Sequence, residues 1–219
     1  MSRQRVLLVN PNSNEATTQM MCRLAQAELP GFEVVGATAA GGPRMIVEET
    51  ALRQSRRYVV AAALRALQED DGIAGLVVAA YGDPGRDILE DLLDIPVVGI
   101  GRASILAASA GGRSFGIATS TPGLVPPINA MVESARGGAR FVGVSVTRSE
   151  PTALAADPER QFEELRDAVQ ACVGKGAEAV IIGGGPLSAT ARRLAELGIG
   201  VIVEPVPSAC ALLRKALTA

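Results

Sequence analysis

The stretch DGIAGLVVAA at residues 71–80 returns, altered in detail but not in pattern, as KGAEAVIIGG at residues 175–184. Each begins with a charged residue and a glycine and then runs into an apolar strand. The spacing of 104 residues also carries IPVV at 95–98 onto IGVI at 199–202, and a spacing of 109 carries VLLVNPNS at 6–13 onto FGIATSTP at 115–122. Three agreements in the same order predict two related halves, each about the size of a small α/β unit. A chain built this way has little freedom in its choice of fold.

Between the repeated runs, short apolar segments alternate with longer segments of helical periodicity, the βαβ signature of a mainly parallel sheet covered on both faces. Strands are expected near 5–9, 33–36, 74–80, 96–99, 114–118, 141–146, 178–183 and 200–203. Helices are expected near 13–28, 48–68, 85–93, 103–110, 123–135, 158–174, 187–197 and 207–217. The fold class is therefore α/β, with two pseudo-symmetric halves of mainly parallel sheet and a cleft between them.

Composition narrows the function classes. A chain of 219 residues, 48% hydrophobic and 20% charged, has enough apolar residues for one large core or two small ones. Its net charge of −2 provides no broad positive field for a nucleic-acid backbone, whereas 19 arginines among 21 basic residues suit planar carboxylate recognition. The expected partner is a small carboxylate or cyclic amide, with no nucleic acid and no membrane. Cys22, Cys172 and Cys210 lie far apart and form no CxxC pair, so neither a disulfide framework nor a zinc site is indicated, and a cytoplasmic location is expected. The apolar run near the start is too short for a signal segment. No histidine occurs, which removes the commonest metal ligand and the commonest general base together. No metal site is expected.

Open parallel sheets bind ligands beyond the carboxyl ends of their strands, which directs attention to four loops. In the first, Asn12 with Glu15 has the form of a capping box, leaving Asn10 as a surplus amide for a ligand. In its counterpart, Thr119, Ser120 and Thr121 place three hydroxyls before Pro122, either capping a helix or forming an anion pocket. The third loop, AYGDPG, reads as Asp83 at a helix N-cap with Pro84 at the first helical position, leaving Ala80 and Tyr81 towards the ligand. The fourth, GGGPLS at 183–188, lacks the Lys and Ser/Thr of a phosphate-binding loop, but its glycines, Gly184 and Gly185 among them, permit close backbone approach. GIGRAS at 99–104 lacks the third glycine of a dinucleotide fingerprint, so no nucleotide cofactor is expected.

Taken together, NPNSN, GGP at 41–43, the strand ending in GDPG, VVGIG at 97–101, FGIATST at 115–121 and the closing Gly loop resemble the aspartate/glutamate racemase superfamily, in particular its hydantoin and allantoin racemase branch. The resemblance spans nearly the whole chain. It implies a first half of residues 1–98 with 207–219 returning to it, a second half of residues 99–206, and a homo-oligomer. It also implies cofactor-free chemistry in which one thiolate removes a proton next to a carbonyl while a second thiol protonates the opposite face. Carried over by motif, the first cysteine falls on Ala80 and the second on Gly184, so both thiols are missing. The remaining acid/base candidates at strand ends are Tyr81, Asp83 and Glu204, with Asp83 discounted by its expected capping role. Substrate contacts are expected from Asn10, Asn12, Ala80, Tyr81, Thr119, Ser120, Thr121, Gly184 and Gly185. The expected function is racemase- or isomerase-type chemistry by a non-cysteine mechanism. The alternatives are a divergent decarboxylase, lyase or hydrolase on the same scaffold, or a non-catalytic protein that binds a small ligand.

Overall fold

The computed structural model describes residues 3–218. All eight expected strands are present, in two four-stranded parallel sheets. The first unit comprises Met1–Ile46, Thr50–Ile100 and Val206–Ala219, and the second Val47–Glu49 and Gly101–Pro205.

In the first unit β1 (Arg5–Asn10), α1 (Glu15–Glu28), β2 (Glu33–Thr38), α2 (Glu49–Glu69), β3 (Ile73–Val78), α3 (Arg86–Leu92) and β4 (Val97–Gly99) follow in sequence. Their sheet order is β2-β1-β3-β4. The second unit continues with α4 (Ile100–Ser109), β5 (Phe115–Thr119), α5 (Val125–Ala135), β6 (Phe141–Val146), α6 (Pro151–Ala156), α7 (Pro158–Gly174), β7 (Ala179–Ile182), α8 (Ser188–Ala195) and β8 (Val201–Val203), in the order β6-β5-β7-β8. The last helix, α9 (Pro205–Thr218), returns to the first unit. Both sheets thus have the same order, as the repeat requires. In each, the first strand connects to one side and the chain then crosses to the other, which creates a topological switch point at β1/β3 and at β5/β7.

The central strands are apolar along their length because a parallel sheet is covered on both faces. Leu7, Val9, Leu76 and Val78 pack with Val59 and Ala63 of α2 and with Leu89 of α3. Ala118, Val180 and Ile182 pack with Leu165, Val169 and Cys172 of α7 and with Ala191 and Leu194 of α8. Close packing explains two strand glycines. A Cβ on Gly75 would stand 2.9 Å from Leu213 of α9, and one on Gly116 would stand 2.9 Å from the Cys172 sulfur.

Several local expectations are corrected. Helix α6 was not expected, since six residues are too few to show a period. Helix α1 is capped by Asn14, whose side chain accepts from the Thr17 N–H at 3.3 Å, and not by Asn12. Asn12 sits two residues upstream and accepts the Asn14 N–H instead, at 3.0 Å. With asparagines at 10, 12 and 14, the pattern alone did not decide which one stood at the boundary. Asp83 is not the cap of α3 either. That helix starts after Gly85, in the left-handed region at φ 78, and Asp83 itself has φ 48, the only positive φ outside glycine among the described residues. No helix of the described residues is long and apolar enough to cross a membrane.

The loop between β2 and α2 rests against the end of β1 through Gly42, where a Cβ would lie only 2.2 Å from the Pro11 carbonyl oxygen. A further bond runs from the Ser13 N–H to the Pro43 carbonyl at 3.1 Å. Gly42→Ala is therefore expected to lower stability by about 1–3 kcal/mol through backbone displacement. Urea unfolding of the variant beside Gly31→Ala, where a Cβ meets nothing within 4 Å, provides the measurement and its control.

Candidate active site

At the carboxyl edge of the first sheet, the β1–β3 ladder continues one residue past β3, with the Ala79 N–H donating to the Val9 carbonyl at 2.8 Å. This bond brings the Asn10–Asn12 loop beside Ala79 and Ala80. Asn10 is fully buried, and its side-chain N–H groups reach Asn12 Oδ1 at 3.0 Å, Thr18 Oγ1 at 3.0 Å and the Asn14 carbonyl at 3.2 Å. Its own Oδ1 accepts the Asn12 N–H at 3.2 Å. The amide expected to be surplus is the internal strut of the loop. Asn12, expected to cap the helix, uses its Oδ1 in the loop and makes no hydrogen bond through Nδ2 among the described residues.

Beyond Ala79 the chain turns, with the Asp83 N–H donating to the Ala80 carbonyl at 3.0 Å. Ala80 is half-buried and Tyr81 buried. The left-handed backbone at Asp83 directs its carboxyl group against the end of β4, where the carboxyl carbon stands 2.1 Å from the place of a Cβ on Gly99. Asp83 therefore braces the junction of β4 and α4, and only glycine at 99 leaves room for it.

The second sheet repeats these contacts. The Gly183 N–H donates to the Ala118 carbonyl at 2.8 Å, and the Leu187 N–H to the Gly184 carbonyl at 3.1 Å. By the 104-residue spacing these match the Ala79 and Asp83 bonds, so Leu187 stands where the first unit has Asp83. A Cβ on Gly184 would be 3.2 Å from the Leu187 side chain. Buried Thr119 donates its hydroxyl to the Gly183 carbonyl at 2.7 Å and lies 3.0 Å from Thr121 Oγ1. Ser120 is buried beside it. Thr121 precedes a 3-10 turn at Pro122–Leu124 but makes no side-chain cap bond, so the three hydroxyls do not serve as a helix cap. Thr119, Ser120, Thr121, Gly184 and Gly185 thus gather at one switch point, and Asn10, Asn12, Ala80 and Tyr81 at the other.

Glu204 follows β8 and pairs with Arg192 of α8 at 2.8 Å. It lies one strand away from the β5/β7 switch point. None of the thiols is at a strand end: Cys22 is in α1, Cys172 in α7 and Cys210 in α9. Burial raises all three, Cys22 to about 11 and Cys210 to about 12, while Cys172 is raised despite its bond to Ser145 Oγ at 3.3 Å. With a pKa near 11, only about one molecule in ten thousand carries the Cys22 thiolate at pH 7. Among the described residues no group of three or more His, Cys, Asp or Glu is placed to hold a metal ion.

The family model for Asp/Glu/hydantoin racemases matches residues 6–213, from the second residue of β1 to the middle of α9. The chain belongs to the Asp/Glu/hydantoin racemase family. This racemase-family chain is 30% identical over 209 residues to the hydantoin racemase of Paenarthrobacter aurescens, covering 94% of this chain and 88% of that protein. It is 27% identical over 201 residues to the hydantoin racemase of Pseudomonas sp. strain NS671, covering 90% and 80%. The structure of an allantoin racemase from Pseudomonas fluorescens has the same fold, with a TM-score of 0.89 at 24% identity over 98% of this chain and 91% of that one.

Two site features escaped the sequence reading. Thr147, after β6, donates its N–H to the Thr119 carbonyl at 3.0 Å. Glu164 of α7, 6% exposed, accepts the Arg148 N–H at 2.8 Å, the Ser149 N–H at 2.9 Å and the Ser149 hydroxyl at 2.5 Å, and pairs with Arg160 at 3.1 Å. The only signal in the sequence was an acidic residue on a mainly apolar helix face that also carries Gln161. Chiefly through the Ser149 hydroxyl, this carboxylate is held at about 2, below its ordinary 4.5. Its stabilising contribution is therefore complete above pH 4.5 and lost as the pH falls from there towards about 2. Glu164→Gln is expected to cost about 1.5–3 kcal/mol at pH 7. Chemical denaturation between pH 7 and pH 2.5 should also show a shallower acid decline in the variant than in the unmodified protein.

Proposed function

We propose that this protein is a cofactor-independent enzyme of racemase or isomerase type that moves a proton next to a carbonyl of a hydantoin, related cyclic amide or small carboxylate, and does so without a thiol pair. The observation that carries this reading is the composition of the two switch points. Ala80 and Gly184 stand where the family resemblance puts cysteines, and all three thiols of the chain lie in helices with raised pKa values.

The polar groups at the strand ends suit an enolate. Removal of the α proton by a base sends the C–H electron pair into the carbonyl, and the developing oxyanion is met by the Ser120 hydroxyl and the backbone N–H groups of Gly184 and Gly185. Return of a proton from water to the opposite face completes inversion. Of the three ionisable candidates, Asp83 is engaged against Gly99 and Glu204 with Arg192. Tyr81 adjoins Ala80 directly and is the proton-transfer residue in this reading. The likeness to two hydantoin racemases supports hydantoins as the substrate class in this reading.

The test is incubation in D2O with each enantiomer of 5-benzylhydantoin, allantoin, aspartate and glutamate, following deuterium at the α carbon above a buffer blank. Exchange is expected with at least one hydantoin, is expected to survive iodoacetamide, and should fall about 10²-fold or more in Tyr81→Phe. Loss of exchange on alkylation, traced to one cysteine and prevented by substrate, would refute the thiol-free mechanism. Saturable binding with no exchange would instead mark a binding protein on a racemase scaffold.

A further inference from the structure

The β6 edge of the second sheet carries a buried hydroxyl that the fold itself does not use. Thr147 is 9% exposed, and its Oγ1 is buried with no hydrogen-bond partner. Several neighbouring hydroxyls are engaged: Thr119 with the Gly183 carbonyl, Ser188 with the Gly185 carbonyl, Thr190 with Gln161, and Ser145 with Cys172 and Lys175. An unmet hydroxyl in the interior is unfavourable, and protein interiors seldom retain one without a use.

The repeat supplies an internal control. In the first unit the Ala39 N–H donates to the Asn10 carbonyl at 2.9 Å, as the Thr147 N–H donates to the Thr119 carbonyl at 3.0 Å in the second. Ala39 is 1% exposed. The same backbone position is therefore completed by a methyl side chain, so the hydroxyl of Thr147 is an addition to what the architecture needs. The position is also fixed. Glu164 holds the N–H groups of the next two residues at 2.8 and 2.9 Å, preventing the loop from turning away.

Location defines the use. In the order β6-β5-β7-β8, Thr147 lies one strand out from the β5/β7 switch point, a lateral step of about 4.8 Å from Thr119. For a substrate whose reacting carbonyl lies at the β5/β7 switch point, a group on that side faces a substituent rather than the reacting carbon. We infer that Thr147 is a specificity-determining residue whose hydroxyl donates to a carbonyl or carboxylate oxygen on the substrate's side chain. The inference rests on the reading of the β5/β7 switch point as the place of the reacting carbonyl.

Two probes that share a hydantoin ring separate the outcomes: allantoin, with a ureido carbonyl on its substituent, and 5-benzylhydantoin, whose substituent is apolar. Affinity by calorimetry and α-deuterium exchange are measured for the unmodified protein, Thr147→Val and Thr147→Ser. Thr147→Val is expected to weaken allantoin about tenfold while changing 5-benzylhydantoin by about twofold or less. Thr147→Ser should retain most of the allantoin affinity, and the melting temperature of ligand-free Thr147→Val should be unchanged or higher, since an unmet hydroxyl has been removed. Equal effects on both probes, no effect on either, or a lowered melting temperature for the valine variant with serine unable to restore allantoin binding would overturn the inference alone. Failure of the unmodified protein to bind either hydantoin would overturn the proposed function and this inference with it.

Discussion

Everything at the candidate site depends on two backbone hydrogen bonds that lie just past the ends of their strands, from Ala79 to Val9 and from Gly183 to Ala118. A parallel sheet that ended one residue earlier would leave a buried carbonyl unmet on each central strand, and unmet backbone groups in the interior are strongly disfavoured. By taking up those carbonyls, the two bonds set the course of the following residues. Ala80 and Gly184 are thereby fixed at the mouths of their sheets, each followed by the same turn to a residue three positions on. Within each sheet, strand order alone then puts the β1 loop beside Ala80 and the β5 loop beside Gly184.

Duplication accounts for the shared frame, and divergence for the contents. The Asp83 carboxyl and the Leu187 side chain occupy matching places after the turn, one packed against Gly99 and the other against Gly184. At the β2 and β6 ends the pair is Ala39 and Thr147. At the β1 and β5 ends it is Asn10 and Thr119, both fully buried and both satisfying neighbouring loop groups. The two halves therefore offer different chemistry from a common backbone.

The architecture was legible because apolar periodicity and a repeated register are long-range signals that survive many substitutions. Local boundaries were less so. The capping box at Asn12 and Glu15 was a valid pattern, yet Asn14 formed the cap because Asn12 was drawn into bonding with Asn10, a residue whose burial no local pattern reports. Asp83 before Pro84 likewise had the form of an N-cap, but its left-handed backbone followed from a tertiary demand, the space left by Gly99. Glu164 and Thr147 were passed over for the same reason. A carboxylate on a helix and a threonine after a strand acquire meaning only when the loop between them is closed.

One consequence of Gly75 concerns synthesis rather than catalysis. Leu213 fills the space beside this glycine, so the core of the first unit includes a helix separated from the rest of that unit by the entire second one. During translation the amino-terminal sheet emerges first and yet lacks part of its cover until α9 has left the ribosome, whereas nearly all of the second unit is contiguous in sequence. The half made first is thus the half completed last, and its β3 face stays uncovered during that interval.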